Sequence, residues 1–315
     1  MRGYVTVATG KDQYYILAHN LLLSYRYHDR SKLPFVILCD RRNEWTADFD
    51  DVVIIENPAF SYTDKMRILD LSPFDETIFI ESDCLIYRDL SGLWDFFKDS
   101  PDLGLLGSMA PIDSEKGWWK LENLGELRDK VDWKLTFQGG LYYVRNNGKD
   151  LPAYMETCKF IEEHYLDYHF SIFETIPEDE TILGLAASVH HFKPAGDWID
   201  LFAYYPEAII ASANILRGKL RYAWTDGSGK YNRKGYFIHF GTVNTFGAIS
   251  DGLYYKEVAA LKSRIKNQFS IQHSRKARLI TFGRLLVNNC GLFRALAGLF
   301  PKEFRNKINN VKKIR

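Results

Sequence analysis

Thr77-Ile-Phe-Ile-Glu-Ser-Asp-Cys-Leu-Ile-Tyr87 runs through β-branched and aromatic residues into Glu81-Ser82-Asp83, then turns apolar again. Such a run reads as a buried strand, so its two acids sit where the strand leaves the core. A buried carboxylate is strongly unfavourable unless it is paired, so acids at this depth are expected to meet a cation. Two oxygen ligands one residue apart at the C-terminal end of a central strand suit a hard divalent ion that bridges phosphates.

The flanking sequence supports a strand in that place. Tyr4–Ala8 alternates and is rich in β-formers, and the spacing of Ile16, Leu17, Leu21, Leu22 and Tyr25 predicts a helix over 13–28. Phe35–Cys39 and Val52–Ile55 read as buried strands, and Asp64–Leu71 as a short helix closed by Ser72-Pro73. This rhythm of near-continuous apolar strands predicts an α/β fold with a mostly parallel sheet covered on both faces. Ligands of such sheets lie beyond the carboxyl ends of the strands, where Ala8-Thr9-Gly10, Asp40 and Glu81-x-Asp83 all fall.

Further along, Leu103–Leu106 and Phe137–Val144 are expected to be strands, with Ser108–Asp132 an excursion between them. Glycines inside a strand, here Gly139 and Gly140, mark close approach of a ligand or another backbone. Leu151–Tyr168 and Asp179–Ser188 read as helices, and Val189–Lys193 and Tyr236–Phe240 as short strands. No internal repeat is visible.

Of the 315 residues, 46% are hydrophobic and 15% aromatic, ample for a sizeable core. Cys39, Cys84, Cys158 and Cys290 have no CxxC spacing, which argues against a zinc site or a disulfide framework and fits reduced thiols in the cytoplasm. No apolar stretch has the form of a signal peptide or a membrane span. The net charge of +1 conceals an asymmetry: residues 262–315 carry 14 Lys and Arg against Glu303 alone, so residues 1–261 are acidic. The division expected is a catalytic domain over 1–261 and a basic amphipathic helical tail over 262–315.

Each candidate residue has a plain alternative when taken singly. Glu81 and Asp83 could be a solvated strand end, Lys65 a surface lysine, His239 a hydrogen-bonded core histidine, and Gln138-Gly-Gly a bulge. Asp179 and Glu180 could simply satisfy the first turn of a helix. Their joint order says more. The blocks Tyr4-Val-Thr-Val-Ala-Thr-Gly10, Asp64-Lys-Met-Arg-Ile-Leu-Asp-Leu-Ser-Pro-Phe-Asp-Glu-Thr-Ile-Phe-Ile-Glu-Ser-Asp83, Phe137-Gln-Gly-Gly-Leu141, Glu178-Asp-Glu-Thr-Ile-Leu183 and Phe237-Ile-His-Phe-Gly241 resemble those of the GT-A glycosyltransferases. Within that fold class they are similar to the retaining family-eight type, which includes bacterial lipooligosaccharide galactosyltransferases and glycogenin.

The resemblance implies a metal-dependent enzyme that moves a sugar from a UDP-sugar to a glycan or glycolipid acceptor with retention. It puts Glu81 and Asp83 on the family's Asp-x-Asp motif, with Ser82 between them at the donor, and His239 on the third metal ligand. Mn²⁺ or Mg²⁺ is the implied ion, and the histidine tilts the choice to Mn²⁺. Ala8 and Thr9 fall on the loop that contacts uracil and ribose, with Tyr14 or Tyr15 as a stacking partner, and Lys65 on a basic residue that contacts donor phosphate or sugar. Gln138 falls near the donor sugar. Asp179 and Glu180 fall on the pair that holds the transferred sugar at the reacting carbon.

The chain departs from the family in three places: Glu81 stands for the first Asp, Glu180 stands for Gln, and Gly241-Thr-Val-Asn-Thr-Phe246 replaces an element carrying a phosphate-binding lysine. Lys230 and Lys234 are the lysines nearby in sequence. Trp118-Trp119, Asp197-Trp198-Ile-Asp200 and Trp224-Thr-Asp226 are candidates for the acceptor, since Trp both stacks on sugars and fills cores. Two other classes compete. A nucleotidyltransferase would carry a Gly-rich, basic signature where this chain has Ala8-Thr9-Gly10-Lys11. A non-catalytic nucleotide-sugar or glycan scaffold would have no need of Asp83, His239 and Asp179 together. The tail, in which basic residues alternate with a Leu/Ile/Phe-rich face over 275–300, predicts contact with an anionic membrane at the inner face; the alternative is a pair of helices that packs on the acidic body or forms a dimer interface. Nothing accompanies its charge that would read nucleic acid.

Overall fold

The computed structural model describes residues 1–115, 119–168, 176–224, 233–241 and 248–266. In chain order it opens with β1 (Arg2–Ala8), α1 (Asp12–His28), β2 (Phe35–Cys39) and β3 (Asp51–Ile54). A 3-10 turn over Tyr62–Arg67 runs into α2 (Ile68–Leu71), followed by β4 (Glu76–Ile80), β5 (Cys84–Ile86), α3 (Ser91–Phe97), β6 (Leu103–Pro111) and β7 (Trp133–Arg145). Then come α4 (Leu151–Glu163), α5 (Asp179–Val189), β8 (Phe202–Tyr204), β9 (Ala208–Asn214), β10 (Lys219–Trp224) and β11 (Phe237–His239). The chain divides into two compact units, Met1–Gly241 with all of these elements, and Thr242–Arg315. The second unit contributes α6 (Ala248–Lys266) to the described residues.

Six strands form the central sheet among the described residues, in the order β3-β2-β1-β4-β7-β6. The pairs from β3 to β4 are parallel, while β7 is antiparallel to both β4 and β6. The strands are apolar on both faces because both faces are covered. Alternate residues of β1, β2 and β4 enter opposite clusters: Val5, Val36, Leu38 and Phe79 pack with α4 and α5, and Tyr4, Phe35, Ile37, Ile78 and Ile80 with α1 and α3. Full burial of each large apolar side chain contributes about 1.5–3 kcal/mol. Packing of this kind, rather than the ionic groups at the strand ends, holds the unit together.

A second, three-stranded sheet decides where the chemistry lies. β5 follows Asp83 directly and pairs with β11, which also pairs with β8. In this register His239 stands opposite Cys84, and Phe240 N–H donates to the carbonyl of Asp83 at 3.3 Å. β5 therefore carries a residue from far down the chain to the end of β4.

Several expectations need correction. Val189–Lys193 is not a strand: Val189 is the last residue of α5, and His191 turns the chain at φ 55°. The helix expected over 151–168 ends at Glu163, and Tyr165–Tyr168 is a separate 3-10 turn. The excursion expected to begin at Ser108 starts as strand instead, since β6 runs to Pro111. Among the described residues no helix is long and apolar enough to cross a membrane. The amphipathic stretch 275–300, Cys290 and most of the basic tail lie outside the described residues.

Candidate active site

β4 ends at Ile80, and Glu81 N–H then donates to the carbonyl of Gly140 on β7 at 3.1 Å, extending the pairing by one residue. Beyond that point the acids turn away from the sheet. Nε2 of His239 lies 3.2 Å from Oε2 of Glu81 and 3.3 Å from Oδ1 of Asp83. Ligand atoms of the three residues lie within 4.8 Å of one another. Glu81 and Asp83 keep 20% and 14% of their side-chain surface exposed and His239 4%, so the carboxylates face the opening and the imidazole lies beneath them.

Lys65 joins this group from the 3-10 turn before α2. Its Nζ lies 2.9 Å from Oε1 of Glu81 and 3.1 Å from Oδ1 of Asp179. Asp179 is buried at the start of α5, where its other oxygen has no hydrogen-bond partner among the described residues. The helix cap is supplied elsewhere. Glu178 accepts from the N–H groups of Glu180 and Thr181 at 2.9 and 2.8 Å, which is the capping role that first-turn acids ordinarily take. Glu178 thus answers the helix, and Asp179 and Glu180 are left for other work. The sequence reading overlooked Glu178, although an acid one residue before a helical run is the signal for it.

Gly139 and Gly140 matter because two groups approach them closely from opposite sides. A Cβ on Gly139 would lie 3.0 Å from Oε1 of Glu180 and 3.3 Å from Oδ2 of Asp179. On Gly140 it would lie 2.5 Å from Nδ1 of His239 and 3.0 Å from Oε1 of Gln138. A register slip of β7 against β6 accompanies them: Gly107 pairs with Phe137, yet Leu105 pairs with Tyr142. Bulges of this kind re-aim side chains beside functional sites. Gly139 N–H donates to Oε1 of Glu180 at 2.6 Å, and Gly140 N–H donates to Oε1 of Gln138 at 2.7 Å.

The electrostatics divide in the same way. Burial alone would raise the pKa of Glu81, but Lys65 and His239 outweigh it and hold the carboxyl well below the usual range. Burial would lower His239, but Asp83 and Glu81 outweigh that and hold the imidazolium up to about 10. This spot favours positive charge. For Lys65, burial is outweighed by Asp179 and Glu81, so its ammonium is retained far above the ordinary value. Across β7 the carboxyls behave oppositely. Burial pushes Asp179 up to about 7 against the pull of Lys65, and burial with Glu178 and Asp179 pushes Glu180 up to about 8.

Other expected residues fall around this centre. Thr9 donates to Oδ2 of Asp64 at 2.6 Å, and Asp64 also accepts from the N–H groups of Ala59 and Phe60. These bonds tie the loop after β1 to the turn that carries Lys65. Ala8 and Ser82 are buried. Tyr14 is 41% exposed at the start of α1, whereas Tyr15 is fully buried and donates to Asp40, so of that pair Tyr14 alone is open to stacking. Trp119 is buried in the core with Nζ of Lys134 over its ring, and Trp224 is buried edge-on against Trp198. Trp118, Thr225, Asp226, Lys230 and residues 242–246 lie outside the described residues, and Lys234 is exposed.

No protein-family model matches the chain, and no curated protein matches it in sequence. Solved structures do. The galactosyltransferase LgtC, in complex with donor and acceptor sugar analogs, superposes with a TM-score of 0.53 at 14% identity, covering 88% of this chain and 100% of LgtC. The bifunctional glycosyltransferase WbbM superposes with a TM-score of 0.51 at 14% identity over 88% of this chain. The fold is GT-A. This chain spans about half of WbbM, 51% of its length. In GT-A terms the cluster described above occupies the carboxyl edge of the central sheet, and the chain resembles the family-eight type.

Proposed function

We propose that this chain is a metal-dependent glycosyltransferase that moves a hexose from a UDP-sugar to a hydroxyl of a glycan or lipid-linked acceptor. Retention of configuration and a place in bacterial-type surface polysaccharide or lipooligosaccharide synthesis belong to the same reading. The observation that carries it is the convergence of Glu81, Asp83 and His239, with Lys65 alongside, at the end of β4 in a GT-A fold. Two carboxylates and one imidazole within 4.8 Å, at a spot that favours positive charge, fit a divalent ion. The mixed oxygen and nitrogen donors suit Mn²⁺ over Mg²⁺. Bound there, the ion supplies positive charge against the diphosphate as the leaving group develops negative charge.

The residues of the chain divide the remaining tasks. Ala8, Thr9 and Tyr14 border the place for the nucleoside, and Lys65 and Ser82 that for the phosphates. The bond from the anomeric carbon to the UDP oxygen breaks, and the acceptor oxygen bonds to the same carbon on the same face. The acceptor's proton passes to the departing phosphate. Asp179 or Glu180 stabilises the oxocarbenium-like carbon, and Asp179 offers Oδ2, which has no other partner among the described residues. Residues 262–315 are proposed to hold the enzyme at the inner face of an anionic membrane, where lipid-linked acceptors lie.

UDP release across a panel of UDP-sugars with Mn²⁺ tests this reading. One sugar is expected to turn over, and Asp83→Asn to lower that rate by about 10²–10³-fold. Release of pyrophosphate from a nucleoside triphosphate and a sugar phosphate, or no turnover with any sugar, would overturn it.

A further inference from the structure

His239 presents a hydrogen-bonding problem that the cation reading sharpens. Its Nε2 points at Glu81 and Asp83, while Nδ1 is buried with no hydrogen-bond partner among the described residues. An imidazole that ligates through Nε2 keeps that nitrogen bare, so its proton resides on Nδ1. A ligating histidine normally donates that second N–H to an acceptor, which fixes both tautomer and ring orientation. A buried N–H left without one forfeits its hydration with nothing in return.

The acceptor that borders the gap is Gln138. The void left by the missing Cβ of Gly140 touches Nδ1 of His239 on one side, at 2.5 Å, and Oε1 of Gln138 on the other, at 3.0 Å. The two atoms are therefore no further apart than those two distances laid end to end. Oε1 already accepts from Gly140 N–H at 2.7 Å, which orients the amide, and a carbonyl oxygen has a second lone pair to offer. Gln138 also stands on the side of β7 that faces His239, whereas Gly139 opens the other side to Asp179 and Glu180. The family resemblance places Gln138 near the donor sugar, whereas here its Oε1 lies on the Gly140 side, away from the side on which Asp179 and Glu180 approach Gly139.

We propose that Gln138 is the positioning residue for His239. With an ion bound at Nε2, its Oε1 would take up the Nδ1 proton in a hydrogen bond that is not made among the described residues here, and so hold Nε2 bare toward Glu81 and Asp83. This rests on the reading of those residues as a cation site. A Cβ at position 140 would intrude on this bond, which gives the Gly140 of Phe137-Gln-Gly-Gly-Leu141 a specific reason to be glycine.

The test is Mn²⁺ binding to the donor-free protein, followed by electron paramagnetic resonance, together with ¹⁵N-histidine NMR in Mg²⁺. Gln138→Met removes the acceptor at nearly equal volume, Gln138→Asn withdraws it by one methylene, and Gln138→Glu restores an acceptor at full length. Loss of Mn²⁺ affinity by about 10–100-fold is expected for the Met and Asn variants, with recovery in the Glu variant. In wild type, His239 should show a single tautomer protonated on Nδ1, and in the Met variant a mixture. A merely structural role would lower the melting temperature of the variants without moving the tautomer.

Unchanged Mn²⁺ affinity in both the Met and Asn variants would overturn the proposal, and an accompanying rise in KM for the donor would return Gln138 to the sugar. Absence of Mn²⁺ binding in wild type would instead overturn the cation site, and this inference with it.

Discussion

On one side of β7, Gly139 admits Asp179 and Glu180, two carboxyls pushed up to about 7 and about 8. On the other, Gly140 admits His239, whose imidazolium is held up to about 10 beside Glu81 and Asp83. Two adjacent glycines thus open one strand to opposite chemistries: carboxyls that resist losing their protons, and carboxylates that hold the His239 imidazolium. Lys65 contacts both, through Glu81 and Asp179. The difference shows how a site can keep acids of unlike charge state close together. A strand backbone separates them, and a single ammonium is shared between the two sets.

Removing the shared group should break the arrangement most severely. Lys65→Met leaves Asp179 and Glu81 without their common partner, and a buried pair broken from one side costs about 3–5 kcal/mol. Chemical denaturation should register that loss, and turnover should fall with it.

The two glycines should then respond differently to the same change. Gly140→Ala places a methyl 2.5 Å from Nδ1 of His239, which must move, so Mn²⁺ affinity is expected to fall by about 10–100-fold. Gly139→Ala meets the flexible end of Glu180 at 3.0 Å and should leave Mn²⁺ affinity unchanged. Equal losses in calorimetric titrations of the two variants would remove the distinction between the faces.

The acid side has a pH signature. Burial beside Glu178 and Asp179 holds the Glu180 carboxyl up to about 8 in the folded chain, against about 4.3 when unfolded. Its contribution to stability is therefore fully present below about pH 4 and is lost as pH rises through about 8. Glu180→Gln should flatten the decline of the melting temperature over that interval while keeping the hydrogen bond from Gly139. A slope identical to wild type would contradict the assignment. The smallest effect concerns the membrane: residues 262–315 should carry the protein onto anionic vesicles at low salt and release it at high salt. Failure to float with vesicles at low salt would sink that part of the proposal.

Much of the first half of the sheet was legible because its strands are apolar on both faces. Phe35–Cys39 was read with its observed bounds, and β1 and β4 within two residues at each end. The acids at the end of β4 announced themselves by the same contrast. What escaped was short or depended on distant pairing. β5 has three residues, and only its ladder with β11 explains how His239 reaches Asp83. β9 is partly exposed and its residues carry no polar–apolar alternation, whereas β10 does alternate, with Leu220, Tyr222 and Trp224 buried, and was passed over although that signal is local. Val189–Lys193 looked like a strand because β-branched and aromatic residues also end helices, and the left-handed turn at His191 leaves no local cue. The role of Gly139-Gly140 was legible as close approach, but which group approached from which side was not. That depends on a bulge set by the β6–β7 register.

Calorimetric titration of the purified protein with Mn²⁺ in the presence of UDP, for wild type and Asp83→Asn, tests the cation site most directly. We expect saturable binding at one site in wild type and its loss in Asp83→Asn, with the melting temperature of the ion-free variant close to that of wild type. Binding of equal affinity in the two proteins, or no binding in either, would contradict the assignment of Glu81, Asp83 and His239 as the metal site.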